Sequence, residues 1–362
     1  MITVLLVIGI LVLLIVGHEL GHFIAAKIFK VRVEEFGVGY PPRAFIFGKF
    51  GGTEYTLNWL PFGGFVRLFG DDGDVRHGPG GFTDARRSVQ AVILVAGVFA
   101  NAVLAWGLFA GALAIGVPRV VDSTQEGEKA QLIVADVVPG SPADAAGMMV
   151  GDEIVGLTYE SNSLEEFTPE SVLDFVRTRG GKEILLSYMR AGTTTEVILR
   201  PAHAVIAEEA GRPAVGVALV LVSTSPLGWK DAVKESFYRT TGAFKAVGTG
   251  LWAMLNKAFQ GDGSLSDVVG PVGLAGIVSE AASHGFGNVM ALAAFISVNL
   301  AVINLIPIPA LDGGRLLLLG VEAAVRRNVP RLAVQLLNLL GFVLIALLMF
   351  AVTYNDIARL LV

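Results

Sequence analysis

Residues 2–16 are almost entirely leucine, isoleucine and valine, and they run without a break into Val16-Gly17-His18-Glu19-Leu20-Gly21-His22. A bilayer core takes about 20 apolar residues to cross, and a single segment crosses it only as a helix. On a helix, His18 and His22 lie one turn apart on the same face. The pattern H-E-x-x-H then offers two imidazoles to one zinc ion, with Glu19 placed to take a proton from a water at the metal. Taken alone the pattern is short, and it also fits a helix end whose histidines and glutamate meet the lipid headgroups. A signal peptide fits poorly: no charged residue opens the run and no A-x-A-like site follows it. Ionisable groups within a membrane are costly and are functional candidates by default.

Composition supports the membrane reading. Of 362 residues, 53% are hydrophobic and 16% charged, with a mean hydropathy of +0.65. That is the profile of a polytopic membrane protein carrying a soluble part. The net charge is −5, and no basic tract points to nucleic acid as a partner. Cysteine is absent, which excludes disulfides, thiolate ligands and cysteine nucleophiles. Any metal is therefore left to His, Asp and Glu.

Four segments are long and apolar enough to span: residues 2–28, 89–117, 288–306 and 332–352. Lys30, Arg32, Arg43, Arg86 and Arg87 flank the first loop, and Arg315, Arg326, Arg327 and Arg331 precede the last span. With four spans these basic loops share one side, which the positive-inside rule places in the cytoplasm. Both termini and the large middle segment are then outside, and His18 and His22 lie towards the cytoplasmic face.

The organisation expected is a first helix with the motif (1–30), a cytoplasmic loop with a membrane-associated β-hairpin (31–88), and a second helix (89–117). A soluble domain (122–201), an amphipathic connector (202–286), a third helix with a broken segment (287–325) and a fourth helix (332–353) follow. In the loop, 53–60 and 65–68 read as strands, with Pro61-Phe62-Gly63-Gly64 as the turn between them. An exposed strand edge there offers pairing to an extended peptide. His77 reads as a solvated loop residue, and His203 and His284 as residues outside any site.

In the soluble domain, Pro139-Gly140-Ser141-Pro142-Ala143-Asp144-Ala145-Ala146-Gly147 follows a strand and precedes Gly151-Asp152-Glu153-Ile154. A helix from about 169 to 179 and two strands come next. This order resembles a PDZ domain, which implies a peptide groove between a strand and a helix. Gly140, Ser141, Pro142, Ala143 and Gly147 are the candidate groove residues, and turn geometry alone also explains the glycines.

The third apolar span leads into Asn304-Leu305-Ile306-Pro307-Ile308-Pro309-Ala310-Leu311-Asp312-Gly313-Gly314-Arg315. The prolines interrupt the helix, and irregular backbone at membrane depth is tolerated only where it is buried or lines a cavity. Asp312 lies at the same depth as the histidines by the topology above. Two His and one carboxylate leave the fourth zinc position open, as catalysis requires.

Together, H-E-L-G-H, N-x-x-P-x-P-x-L-D-G, the Gly270-Pro271-Val272-Gly273 segment and the inserted PDZ-like domain resemble the bacterial site-2 proteases, in their single-PDZ branch. The resemblance implies a polytopic α-helical membrane protein of about four transmembrane helices, with a membrane-associated β-hairpin and one inserted PDZ-like α/β domain. It implies an intramembrane zinc metalloprotease of the inner membrane, with His18, His22 and Asp312 as ligands to Zn2+ and Glu19 as general base. Asn101, in a G-x-x-x-N element starting at Gly97, would face substrate, and Asn304, Pro307 and Pro309 would hold it together with Gly63, Gly64 and Phe65. Substrates would be single-span membrane proteins such as anti-sigma factors, or signal-peptide remnants, with an upstream site-1 protease as a further partner. Two other readings stay open: a non-catalytic scaffold binding peptides through the PDZ-like domain, and an ion transporter, for which the repeat symmetry is missing.

Overall fold

The computed structural model describes residues 2–71, 78–123, 130–203, 211–260, 269–327 and 329–361. The chain divides into two compact units: residues 1–115 with 228–362, and residues 116–227. His77 lies outside the described residues.

The first unit holds nearly all the long helices: α1 (Ile2–Ile28), α2 (Arg87–Ile115), α5 (Trp229–Phe259), α6 (Pro271–Ser283), α7 (Phe286–Leu305), α8 (Asp312–Val325) and α9 (Arg331–Leu361). Among the described residues four helical stretches are long and apolar enough to cross a membrane: Thr3–Ile28, Arg87–Ile115, Phe286–Leu305 and Leu332–Arg359. Lipid drives no hydrophobic association between such helices, so close van der Waals packing has to hold them together. Small residues make that packing possible. A Cβ added at Gly21 of α1 would lie 2.3 Å from Ala96 O of α2, and one at Gly17 would lie 2.8 Å from Leu104. Ala105 and Phe109 of α2 pack with Ala294 and Val298 of α7, and Ala243, Phe244 and Val247 of α5 cover that cluster. The amphipathic α5 therefore carries one face against the helical bundle.

The Gly270-Pro271-Val272-Gly273 segment opens α6. Asp356 of α9 accepts from Gly270 N at 3.2 Å and Gly273 N at 2.8 Å, satisfying amides that the helix leaves without partners. A Cβ on Gly270 would sit 2.6 Å from that carboxylate, so glycine is required for the approach.

Between α1 and α2 lie two long antiparallel strands, β1 (Val33–Phe50) and β2 (Thr53–Leu68). Here the structure corrects the expected hairpin. The turn is at Gly51-Gly52, with φ of 56° and 82°, and Pro61–Gly64 lie within β2. Two successive positive φ values are what a two-residue hairpin loop demands, and glycine supplies them without strain. Gly63, at φ 106°, instead bends β2 back on itself. As a result Phe36 pairs with both Tyr55 and Val66, and Val38 with both Leu57 and Gly64. The first half of β1 is thus flanked on both sides by β2, and residues 64–68 form a sheet edge.

The second unit is a seven-stranded sheet: β3 (Arg119–Val121), β4 (Ala130–Val137), β5 (Glu153–Tyr159), β6 (Asn162–Ser163), β7 (Ile184–Arg190), β8 (Thr193–Leu199) and β9 (Val217–Ser223). The order is β3-β9-β4-β5-β7-β8, with β6 on β5. Two short helices, α3 (Pro142–Ala145) and α4 (Pro169–Arg177), complete it, and α4 lies against β9. The domain is therefore longer than expected. Residues 217–223 leave the connector and become an interior strand paired with β3 and β4.

Asp152 fixes one corner of this unit. It is 1% exposed and accepts from Arg190 at 2.6 and 2.7 Å and from Met149 N at 2.8 Å. The Arg190 hydrogen bonds hold its carboxyl below the usual carboxylate range, against the opposing effect of burial. Its folded pKa is thus below its unfolded one. The stabilisation is complete above the unfolded value, about 3.9, and is lost as pH falls through the folded value. Asp152→Asn is expected to lower the unfolding temperature of this unit by several degrees at pH 7 and by progressively less in acid. Thermal unfolding at pH 7 and pH 3 checks this, and a gap independent of pH contradicts it.

Candidate metal centre

The turn spacing of α1 brings His18 and His22 together, with ring centroids 4.7 Å apart and planes at 85°. Both are nearly buried, at 9% and 8% exposure. Their Nε2 atoms are 3.1 Å apart. Asp312 Oδ2 is 3.0 Å from His18 Nε2 and 3.3 Å from His22 Nε2. Among the described residues this is the one group of three such side chains with metal-ligand spacing.

Asp312 arrives from 294 residues away through a local fold that the sequence dictates. α7 stops at Leu305 because Pro307 and Pro309 cannot continue it. The chain turns back through Ala310, at φ 76°, and Asp312 opens α8. The turn is tight. A Cβ at Gly313 would lie 2.3 Å from Ile306 O, and one at Gly314 would lie 2.2 Å from Ile308 O. The two glycines after the aspartate let the carboxylate reach the histidines.

The donors fit a divalent metal. Zinc with bonds of about 2.0–2.1 Å holds tetrahedral ligands about 3.3 Å apart, close to the three separations here. His22 Nδ1 donates to Ile93 O at 2.8 Å, which leaves the Nε2 lone pair facing the other two donors. Two imidazole lone pairs and a carboxylate converging on one point repel each other unless a cation or a proton lies between them. Gly97 of α2 faces the pair: a Cβ there would lie 2.4 Å from His22 Nε2 and 2.7 Å from His18 Cε1.

Glu19 points to the sheet edge. A Cβ on Gly64 would lie 3.2 Å from Glu19 Cγ and 3.1 Å from Ile15 Cγ2, and the Val66 backbone amide hydrogen-bonds the Glu19 carboxylate. Gly63, Gly64 and Phe65 all lie on this edge, with Gly37 paired to Phe65. Asn101 follows Gly97 by one turn on the same face of α2. It is fully buried, and neither side-chain amide atom has a partner among the described residues. Asn304 is the penultimate residue of α7, and Pro307 and Pro309 form the connector to Asp312.

Gly140, Ser141, Pro142, Ala143 and Gly147 are placed differently from the expected groove. They form α3 and its flanking turns. Ser141 caps the helix, Ala143 is fully buried, and Ala143 N donates to Val215 O. The helix beside a strand is α4, against β9. His203 meets Gly211 O and His284 meets Glu280 O, so neither joins the metal centre.

Sequence reasoning missed several supporting groups. Glu35, 2% exposed, accepts from Arg43 at 2.7 and 3.1 Å and from Thr56 at 2.8 Å, with Arg67 at 3.0 Å. This cluster ties the two halves of the sheet together. Burial alone would raise the Glu35 carboxyl, but the arginines and Thr56 hold it below the usual carboxylate range. A glutamate alternating with apolar residues in a strand was the available signal.

Comparison with known proteins places this geometry. The profile of peptidase family M50 matches residues 5–348. The chain belongs to peptidase family M50. A provisionally named zinc metalloprotease of Clostridium perfringens is 34% identical to this M50 peptidase, over 95% of each chain. One of Campylobacter jejuni, also provisionally named, is 31% identical over 96% of this chain and 91% of its own. The zinc metalloprotease RasP of Geobacillus kaustophilus is 27% identical over 96% and 95%. Among solved structures, the PDZ domain of the SdrC-like protein from Listeria monocytogenes covers 27% of this chain and 93% of its own, at 17% identity and a TM-score of 0.21. This M50 peptidase is a zinc metalloprotease of the site-2 type, and four of its helices are long and apolar enough to cross a membrane.

Proposed function

We propose that this M50 peptidase hydrolyses a peptide bond in or beside the transmembrane segment of single-span membrane proteins. His18, His22 and Asp312 are its zinc ligands and Glu19 is its general base. The observation that carries this reading is the donor triangle, with two of its members on an apolar helix long enough to span a membrane and Glu19 packed against a strand edge. Zinc bound there supplies Lewis acidity, lowering the pKa of a water to about 7 and polarising the scissile carbonyl.

The remaining work belongs to the protein. A transmembrane helix resists hydrolysis because its amides are bonded internally. The 64–68 edge supplies replacement hydrogen bonds, so the substrate is held as an added strand. Glu19 accepts the proton of the attacking water and delivers it to the leaving amine. Asn101, whose amide has no partner among the described residues, offers a donor to the developing oxyanion. Asn304 and the Pro307–Pro309 connector, which leads into Asp312, help to hold the substrate. The 116–227 unit screens substrates, favouring those already trimmed by a site-1 protease. The active site faces the cytoplasmic side of a bacterial inner membrane, with both termini and this unit outside.

The test is cleavage of an end-labelled single-span protein by enzyme reconstituted in lipid vesicles. The expected new terminus falls within the substrate's apolar segment, and activity lost on chelation returns with zinc. Cleavage confined to an extramembrane tail contradicts the proposal.

A further inference from the structure

The sheet edge and the metal centre are joined at two points. One is Gly64, packed on Ile15 and Glu19 of α1. The other lies at the far end of the edge, where Asp71 forms an ion pair and hydrogen bond with Arg315. Arg315 is three residues beyond Asp312 on α8. Asp71 follows directly on the edge strand, with its backbone amide bonded to Leu68 O. Both side chains are largely shielded, at 27% and 13% exposure. The Arg315 guanidinium also lies 6.0 Å from the Phe82 ring, and Phe82 N donates to Phe69 O.

We propose that the Asp71–Arg315 pair is a positioning brace that fixes the register between the substrate-binding edge and the metal, and so selects which peptide bond is cut. The inference rests on the strand-addition reading above. Gly64 and Val66 fix the edge to α1 beside Glu19, and Asp71 fixes its far end to α8. Leu68, Phe82 and Leu319 also meet in an apolar cluster between this region and α8. Apolar contact is non-directional and tolerates sliding. A guanidinium–carboxylate bond is directional and does not. Carbonyls that face the same way along an added strand recur every second residue, about 6.6 Å apart, so a displacement of about half that distance leaves two alternative carbonyls equally near the metal.

The experiment uses full-length enzyme in vesicles and mass spectrometry of all products from one labelled single-span substrate, with zinc measured on each sample. Wild type is expected to cut one dominant bond. Arg315→Ala is expected to spread cleavage over bonds one or two residues away while zinc content stays near one per chain. The charge exchange Asp71→Arg with Arg315→Asp is expected to restore a single dominant bond. If Arg315→Ala loses its zinc, Asp71→Asn carries the same test, because it leaves α8 untouched. A variant that keeps zinc and cuts only the wild-type bond, at whatever rate, overturns the brace. Cleavage by wild type at many scattered bonds overturns the strand-addition reading instead.

Discussion

Glu19→Gln is expected to abolish measurable cleavage while leaving the zinc in place. The substitution keeps the size of the side chain and its contact with the sheet edge, since Gln retains an oxygen able to accept from the Val66 amide. It removes the one group beside the donor triangle that accepts a proton without being a ligand. General acid–base catalysis by a positioned side chain contributes about 10²–10⁴-fold, and this residue serves both the attack and the protonation of the leaving amine. The expected loss therefore lies at the upper end of that range or beyond detection. Single-turnover cleavage with parallel metal analysis separates the roles. Loss of rate with zinc retained is the predicted result. Cleavage within threefold of wild type removes Glu19 from the chemistry.

Gly97→Ala is expected to weaken zinc binding by about 10–100-fold, from a residue with no chemistry of its own. The added methyl would stand 2.4 Å from His22 Nε2 and 2.7 Å from His18 Cε1. Atoms of real side chains do not approach that closely, so either α2 withdraws or the rings turn. Withdrawal of α2 opens the close packing that Gly21 makes with the Ala96 turn. Rotation of His22 breaks its 2.8 Å bond to Ile93 O and carries Nε2 away from Asp312. Loss of such a supporting bond commonly costs about 10–100-fold in metal affinity or activity. Competition with a chelator of known affinity measures it. Gly107→Ala, on the same helix where a Cβ meets nothing within 4 Å, is the control and is expected to bind zinc as wild type does.

The metal centre was legible because its signals are local. His18 and His22 are four residues apart on an unbroken helix, and Asp312 stands just past two prolines that mark an interrupted one. Local spacing also announced the four apolar helices. What was missed depends on pairing across the chain. Pro61-Phe62-Gly63-Gly64 does bend the chain, but the segments on either side of it pair with β1 and not with each other, and the tight hairpin turn is at Gly51-Gly52. Residues 217–223 read as part of an amphipathic connector, and their partner β4 lies far earlier in the chain, with Val137 paired to Val217 and Ala130 to Ser223. Asp71 and Arg315 are 244 residues apart, and neither is unusual in its own neighbourhood. Asp356 similarly gains its meaning only from the α6 amides it meets.

The central claim is that one zinc ion is held by residues from α1 and from the start of α8. Elemental analysis of purified full-length enzyme tests it most directly, using wild type, His22→Ala and Asp312→Ala, each with its helix content measured by circular dichroism. The account predicts one zinc per wild-type chain and little or none in either variant, with helix content unchanged. A full zinc complement in Asp312→Ala would contradict it.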